Sequence, residues 1–448
     1  MNWDLGQLEC DFCKDIFNCS IGLSNKNTPQ VFGFCCPHCS GVLSIEIDPI
    51  RSTNRILKNV TAVGRKNKDI FNVKSIRLHL DFPALLTNGW SPFTPFNIAC
   101  LGLKEGYNIE HFKVVTSELN FYSEHILVLQ SLFNFYKNSK IKELYHTSRT
   151  LLREDFDIVI GVDSNYIDSI SVIDYITSRD VDIIFYKTLF GISIALNKGM
   201  KPDHDIKELS SYLSGLKKEK LCEFHSYLSN NRHLKDSIKT TNKIYSNIYS
   251  NEEFFRPSIF LSDYSSTNYK KGKSPLRLVS EKVEVILNIY KDLTEVISKQ
   301  YILIVGLRNI EESDNYDTFK MNYVRTRKGK VFINNIAEFS ELDLGMKARF
   351  MKGSYFEKDL KIISNKIRNS IAHNNWEYNE LSQEVLFRFN KGINDAPNEK
   401  DFECKTILEI NSEIITLFRL MHKLNIIYYL FGCFYGRNDW DKGELDNI

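Results

Sequence analysis

Arg368, Asn369 and His373 place a guanidinium, a carboxamide and an imidazole within six residues, in the run Arg368-Asn369-Ser370-Ile371-Ala372-His373. An imidazole can move a proton near neutral pH, and a guanidinium can hold the charge that builds on a phosphoryl group in a transition state. Together they suit phosphodiester chemistry that needs no metal. The same side chains also fit a plainer reading, a helix-end histidine beside a solvated arginine, because so short a pattern is weak evidence by itself.

A second group suits metal binding. Cys10-Asp11-Phe12-Cys13 and Cys36-Pro37-His38-Cys39 are two CxxC pairs separated by 22 residues, close to the spacing of a zinc ribbon. Each pair can turn two thiolates to one side of a tight knuckle. Two knuckles complete a closed tetrahedral shell, so a structural Zn2+ would fold this module and not catalyse. Cys19, Cys35 and His38 stand close enough in sequence to serve as substitute ligands. The competing use, a disulfide or redox pair, is disfavoured in a reducing cytosol.

The elements that position the first group follow from periodicity. Phe356, Leu360, Ile363, Ile367 and Ile371 fall at helical spacing and form one apolar stripe about 80° wide that can face a core. At roughly 100° per residue, Arg368 and His373 lie about 140° apart with Asn365, Asn369 and Ala372 on the arc between them. The pattern predicts a helix from about Leu344 or Glu357 to Asn374. Asn374 and Asn375 offer its stop, leaving His373 near the last turn beside a cleft.

The motif, followed by Asn374, Asn375, Trp376, Glu377 and Tyr378, resembles the signature of HEPN domains: an Arg, four to six residues, then a His, with Asn directly after the Arg. The resemblance covers roughly residues 275 to 448 and is best over 355 to 390. It implies a helical bundle that forms a homodimer, so that two motifs share one cleft. It further implies a metal-independent RNase, in which Arg368 and His373 act directly and Asn369 supports them. Such domains serve as toxins of bacterial anti-phage and abortive-infection systems, cutting tRNA or other RNA, with a phage-derived trigger or inhibitor in control. Members regulated by a nucleotidyltransferase antitoxin carry a Tyr two residues after the His. Here that position is Asn375. Other HEPN-like bundles are not nucleases, so a non-catalytic module binding nucleic acid or protein is the alternative.

Composition bounds the rest. The chain has 448 residues, 43% hydrophobic and 25% charged, enough for a sizeable core. A net charge of +2 gives no global argument for nucleic acid, so any RNA surface must be a local patch. Lys347, Arg349, Lys352, Lys358, Lys361, Lys366 and Arg368, against Glu357 and Asp359, supply such a patch around the motif. No signal pattern opens the chain, and its longest apolar runs are too short to span a bilayer. The expectation is a cytoplasmic protein with no membrane partner.

The expected fold class is α+β multidomain and predominantly α. A zinc ribbon over 1–50 precedes a mixed α/β central domain over 70–255, a possible sensor, and a HEPN-like helical domain over 275–448. Residues 41–50 alternate as the last ribbon strand, and 51–69 read as a solvated linker or basic flank. Strand-like pieces over 75–82, 97–102 and 112–116 precede helical periodicity over 119–152 and 167–249. Asp203-His204-Asp205 marks a helix start, with Asp as a cap. Asp155, Asp157 and Asp163 flank a short strand and lack the Glu-x-Lys partner a metal nuclease would need. Residues 250–274 read as a boundary. A long helix follows over 281–307, then short extended pieces near 328–332 and 384–389 and a closing helix over 408–434. Phosphate loops, nucleophile elbows and internal repeats are absent.

Overall fold

The computed structural model describes residues 2–24, 26–51, 55–64, 72–82, 84–90, 117, 127–152, 178–193, 196, 202–261, 276–277, 283–320, 322–326, 329–379, 383–389 and 401–431. They form a mixed α/β protein, predominantly helical, with several small sheets. Strands β1 (Asn2–Cys10), β2 (Ile16–Gly22), β3 (Gln30–Cys35), β4 (Val42–Ile47), β5 (Arg55–Lys58), β6 (Val60–Ala62), β7 (Lys74–His79), β8 (Ala84–Asn88) and β9 (Leu276–Arg277) make two of these sheets. One has the order β6-β1-β2-β7-β8-β9, with β2 and β7 parallel, and the other the order β3-β4-β5. Strands β10 (Tyr323–Thr326) and β11 (Gly329–Phe332) form a hairpin, and β12 (Trp376–Asn379), β13 (Glu384–Arg388) and β14 (Phe402–Thr406) an antiparallel sheet.

The alternation expected over 41–50 is β4, whose Leu43, Ile45 and Ile47 are fully buried. It is not the last strand. The stretch expected as a linker contains β5 and β6, which pair with β4 and β1, and Val60 is buried in the core they share. These strands are only four and three residues long, and β5 carries a charge at each end, so no period-2 pattern announces them. The boundary expected over 250–274 is also corrected in part, because Glu252–Leu261 is a helix with Pro257 inside it. The motif helix is shorter than expected. Short pieces at Leu344–Lys347, Ala348–Met351 and Glu357–Leu360 precede a separate helix, Asn365–Ala372. Of the expected stripe, Phe356, Leu360, Ile367 and Ile371 are nevertheless buried and Ile363 is half-buried, so the stripe reports burial at four of its five positions across a broken helix. The long helix is Val283–Ser313 and the closing one Ile407–Leu430. The calls on 97–102, 112–116, the Asp155–Asp163 strand and 262–275 lie outside the described residues.

The chain divides into two compact units, each drawn from three segments, where the sequence expectation had consecutive domains. The first comprises residues 1–123, 251–291 and 366–415. Arg256 is its largest fully buried side chain, and its Nε donates to Asp81 at 2.6 Å while Nη1 reaches Glu252 at 3.2 Å. Glu252 also accepts from Lys26 at 2.9 Å, which ties the β2–β3 loop to the same helix. The other side of that helix holds a different segment, since Asn411 Nδ2 donates to the Phe254 carbonyl at 2.7 Å.

The second unit comprises residues 124–250, 292–365 and 416–448. Its helices include Ile141–Leu152, Ser178–Ile192, Pro202–Ser214, Lys218–Asn230 and His233–Ser250. A Cβ on Gly306 would lie 2.2 Å from the Phe224 ring, so only glycine lets that ring rest on the backbone there. Within this core, the Tyr245 hydroxyl and His422 Nδ1 share a hydrogen bond at 2.7 Å, and Gln300 Nε2 donates to Asn425 Oδ1 at 3.0 Å. A buried polar chain of this kind specifies which side chains face one another.

Two outcomes follow. Arg256→Met leaves the Asp81 and Glu252 carboxylates buried without their shared cation and should lower unfolding stability by about 3–5 kcal/mol, read by urea denaturation. Burial lowers the His422 pKa to about 3. An unfolded histidine binds its proton near pH 6.5, so acid favours the unfolded chain, and stability should fall from about pH 6.5 down towards 3. His422→Gln should flatten that slope in thermal melts.

Candidate functional site

The four cysteines of the paired spacing come together. A tetrahedral metal bound by thiolates at about 2.3 Å places its sulfurs about 3.8 Å apart. Cys10 and Cys39 Sγ are 3.8 Å apart, Cys13 and Cys36 Sγ are 3.7 Å apart, and all four sulfurs lie within 4.8 Å of one another. Disulfides need sulfurs near 2.05 Å, and all four cysteines are free. Cys19, Cys35 and His38 fall outside the group.

Local chain geometry explains the convergence, because the two knuckles repeat one hydrogen-bond pattern. Cys10 N–H donates to Asp15 O at 3.0 Å and Lys14 N–H to Cys10 O at 2.9 Å; Cys36 N–H donates to Gly41 O at 2.8 Å and Ser40 N–H to Cys36 O at 3.0 Å. Lys14 and Ser40, the equivalent residues, both take left-handed backbone, with φ of 63° and 66°. His38 N–H points at Cys36 Sγ and Gly41 N–H at Cys39 Sγ, each at 3.4 Å. The Gly41 bond lowers the Cys39 pKa, whereas burial pushes the Cys36 thiol up. Gly41 lets the exposed Phe12 ring lie over the second knuckle, since a Cβ there would stand 2.5 Å from the ring and push it aside. Cys10 and Cys36 belong to the buried core with Leu8, Phe34, Leu43 and Val60, so the sulfurs are placed by packing as well as by turns. Lys74 Nζ donates to Pro37 O at 2.8 Å and fastens the second knuckle to β7.

Arg368 and Asn369 stand on the helix Asn365–Ala372, both half-buried, and Arg368 Nη1 donates to Asn369 Oδ1 at 2.7 Å. Asn369 therefore orients the guanidinium. The expected stop is present: Asn374 has φ of 54°, with its N–H on Ile371 O at 3.2 Å, and Asn375 N–H reaches Ser370 O at 2.8 Å. That is a Schellman cap with Asn as its left-handed residue. His373 is thus the residue at the helix end, and its side chain is exposed. Trp376 then enters β12 directly, and Arg388 N–H on Asn375 O at 2.9 Å extends the pairing to the cap.

Of the expected cationic patch, Lys347 is withdrawn, because it is buried and burial lowers its pKa. Arg349, Lys352, Lys358, Lys361 and Lys366 are exposed. His204 gathers with Asp205 and Glu208, but Glu208 is already engaged by the Tyr355 hydroxyl and lies 3.5 Å from Lys423, which opposes a cation there. Sequence reasoning missed Ser370, buried with its hydroxyl on the Asn375 and Arg388 carbonyls. Its sequence neighbours carry no sign of that role, since Arg388 is 18 positions away.

No family model, curated protein or solved structure matches this chain. Purified protein should hold one metal ion per chain by elemental analysis, and Cys36→Ser should hold less than one while lowering the unfolding temperature, because a closed thiolate site folds its own module.

Proposed function

We propose that this chain is a metal-independent endoribonuclease of HEPN type, acting as a homodimer, with an N-terminal zinc ribbon that carries a structural Zn2+. The observation that carries the reading is that one short helix carries Arg368, held by Asn369 at 2.7 Å, and ends at an exposed His373. The substrate is RNA whose 2′-hydroxyl attacks the adjacent phosphorus. A bond from the 2′-oxygen to phosphorus forms and the bond to the 5′-oxygen breaks. His373 takes the 2′ proton, the motif of a second copy returns one to the leaving oxygen, and Arg368 holds the charge of the phosphorane. The products are a cyclic phosphate and a 5′-hydroxyl, so DNA, which lacks the nucleophile, is not cut.

Zinc is the assignment for the cysteine group because four thiolates close its tetrahedral shell. The biological setting is a bacterial anti-phage toxin, held in the cytoplasm and released or restrained by a phage-derived factor. That part rests on the HEPN resemblance alone. Among the described residues, no helix is long and apolar enough to cross a membrane.

A second reading, a non-catalytic module that binds nucleic acid or protein, draws on Phe12, which is 59% exposed above Gly41 on the knuckle surface. One assay separates the two. With EDTA present, the protein should cut total RNA but not single-stranded DNA, leaving cyclic phosphate ends, and His373→Ala and Arg368→Ala should each lose about 100-fold or more while staying folded. Binding of RNA without turnover would select the second reading.

A further inference from the structure

Ser370 sits inside the motif yet contributes nothing to the chemistry proposed above. It is 2% exposed, and its one hydroxyl proton is shared between the carbonyl of Asn375, 3.0 Å from the oxygen, and that of Arg388. Its own carbonyl accepts the Asn375 N–H at 2.8 Å. Asn375 is therefore held to Ser370 through both its N–H and its C=O, and Arg388 N–H donates to the same carbonyl at 2.9 Å. Residues 371–374 form a loop of chain closed by these bonds, and His373 is in it. The His373 N–H on Asn369 O at 3.0 Å closes the loop from the other side and joins it to the residue that orients Arg368.

From this arrangement we infer that Ser370 is the positioning residue of the motif, setting where the His373 imidazole stands relative to the Arg368 guanidinium by locking the helix cap to β13. A helix end on the surface ordinarily frays, because its last carbonyls have no partner within the helix. Here Asn374 takes the left-handed turn that ends the helix, as asparagine readily does, and the Ser370 hydroxyl ties the chain that follows to the core. Serine fits because its short side chain can reach carbonyls on the following turn, and burial makes the loss of that donor costly. The inference rests on the ribonuclease reading for its catalytic consequence only; the placement of His373 can be measured without it.

The test compares wild type, Ser370→Ala and Ser370→Thr, with histidines labelled at Cε1 and the His373 resonance identified by its loss in His373→Ala. Ser370→Ala should move the His373 resonance while the buried His422 signal stays in place, and Ser370→Thr, which keeps the hydroxyl, should restore it. In RNA cleavage, Ser370→Ala should lower kcat per folded molecule by about tenfold with KM within about twofold. Should Ser370→Ala fail to fold, Ser370→Cys, of similar size and a weaker donor, should give the same displacement. A His373 resonance unchanged in the folded variant overturns the inference. A resonance that moves while wild type cuts no RNA upholds the positioning role and removes the ribonuclease reading.

Discussion

The first unit depends on one buried cation. Arg256 has no exposed surface, and a guanidinium taken out of water is tolerated only where carboxylates meet it with good geometry. Asp81, just beyond β7, and Glu252, one turn earlier on the same helix, satisfy that need, and Lys26 extends the chain of alternating charge into the β2–β3 loop. Asp81 and Arg256 are 175 positions apart. Because neither charge can be left alone, the N-terminal sheets and the Glu252–Leu261 helix must fold as one body. The Asn411 bond to Phe254, and the Ser258 hydroxyl on Leu408 O at 3.4 Å, bring in the third segment by the same helix. An adaptor with a charged side and a hydrogen-bonded side explains why this unit gathers three stretches of chain.

The cysteine module shows a second way of stabilising a small core. Cys10 and Cys36 are buried in it among Leu8, Phe34, Leu43 and Val60, in positions that aliphatic side chains commonly fill. The paired knuckles use the same two backbone bonds and a left-handed residue at the equivalent position, and together they bring the four sulfurs within 4.8 Å of one another. The motif helix is handled differently. Its end is fixed by a cap, a buried hydroxyl and a neighbouring strand, and the His373 side chain is exposed.

What could be read from one dimension depended on how local the determining physics is. Two CxxC pairs state their own chemistry, since ligand spacing and knuckle geometry both lie within a few residues. The apolar stripe from Phe356 to Ile371 was legible for the same reason, as was the stop at Asn374. Burial was predicted correctly there even where helix continuity was not, because a stripe records which side chains avoid water and not which backbone bonds connect them. Strands β5 and β6, by contrast, are too short for a period to show, and their place is set by partners in β4 and β1.

By itself, then, the sequence determined the candidate chemistry: four thiolates in two knuckles, and an arginine, asparagine and histidine closing one helix. Only the tertiary structure decided what holds them. Pro257 reads as a boundary signal until Arg256 is seen buried between carboxylates, Lys347 reads as a surface cation until its neighbours cover it, and Ser370 is silent until β13 is laid against the helix end. The physical reason is common to all three. The free energy of a buried charge or hydroxyl is set by the groups that replace its water, and those groups come from distant parts of the chain.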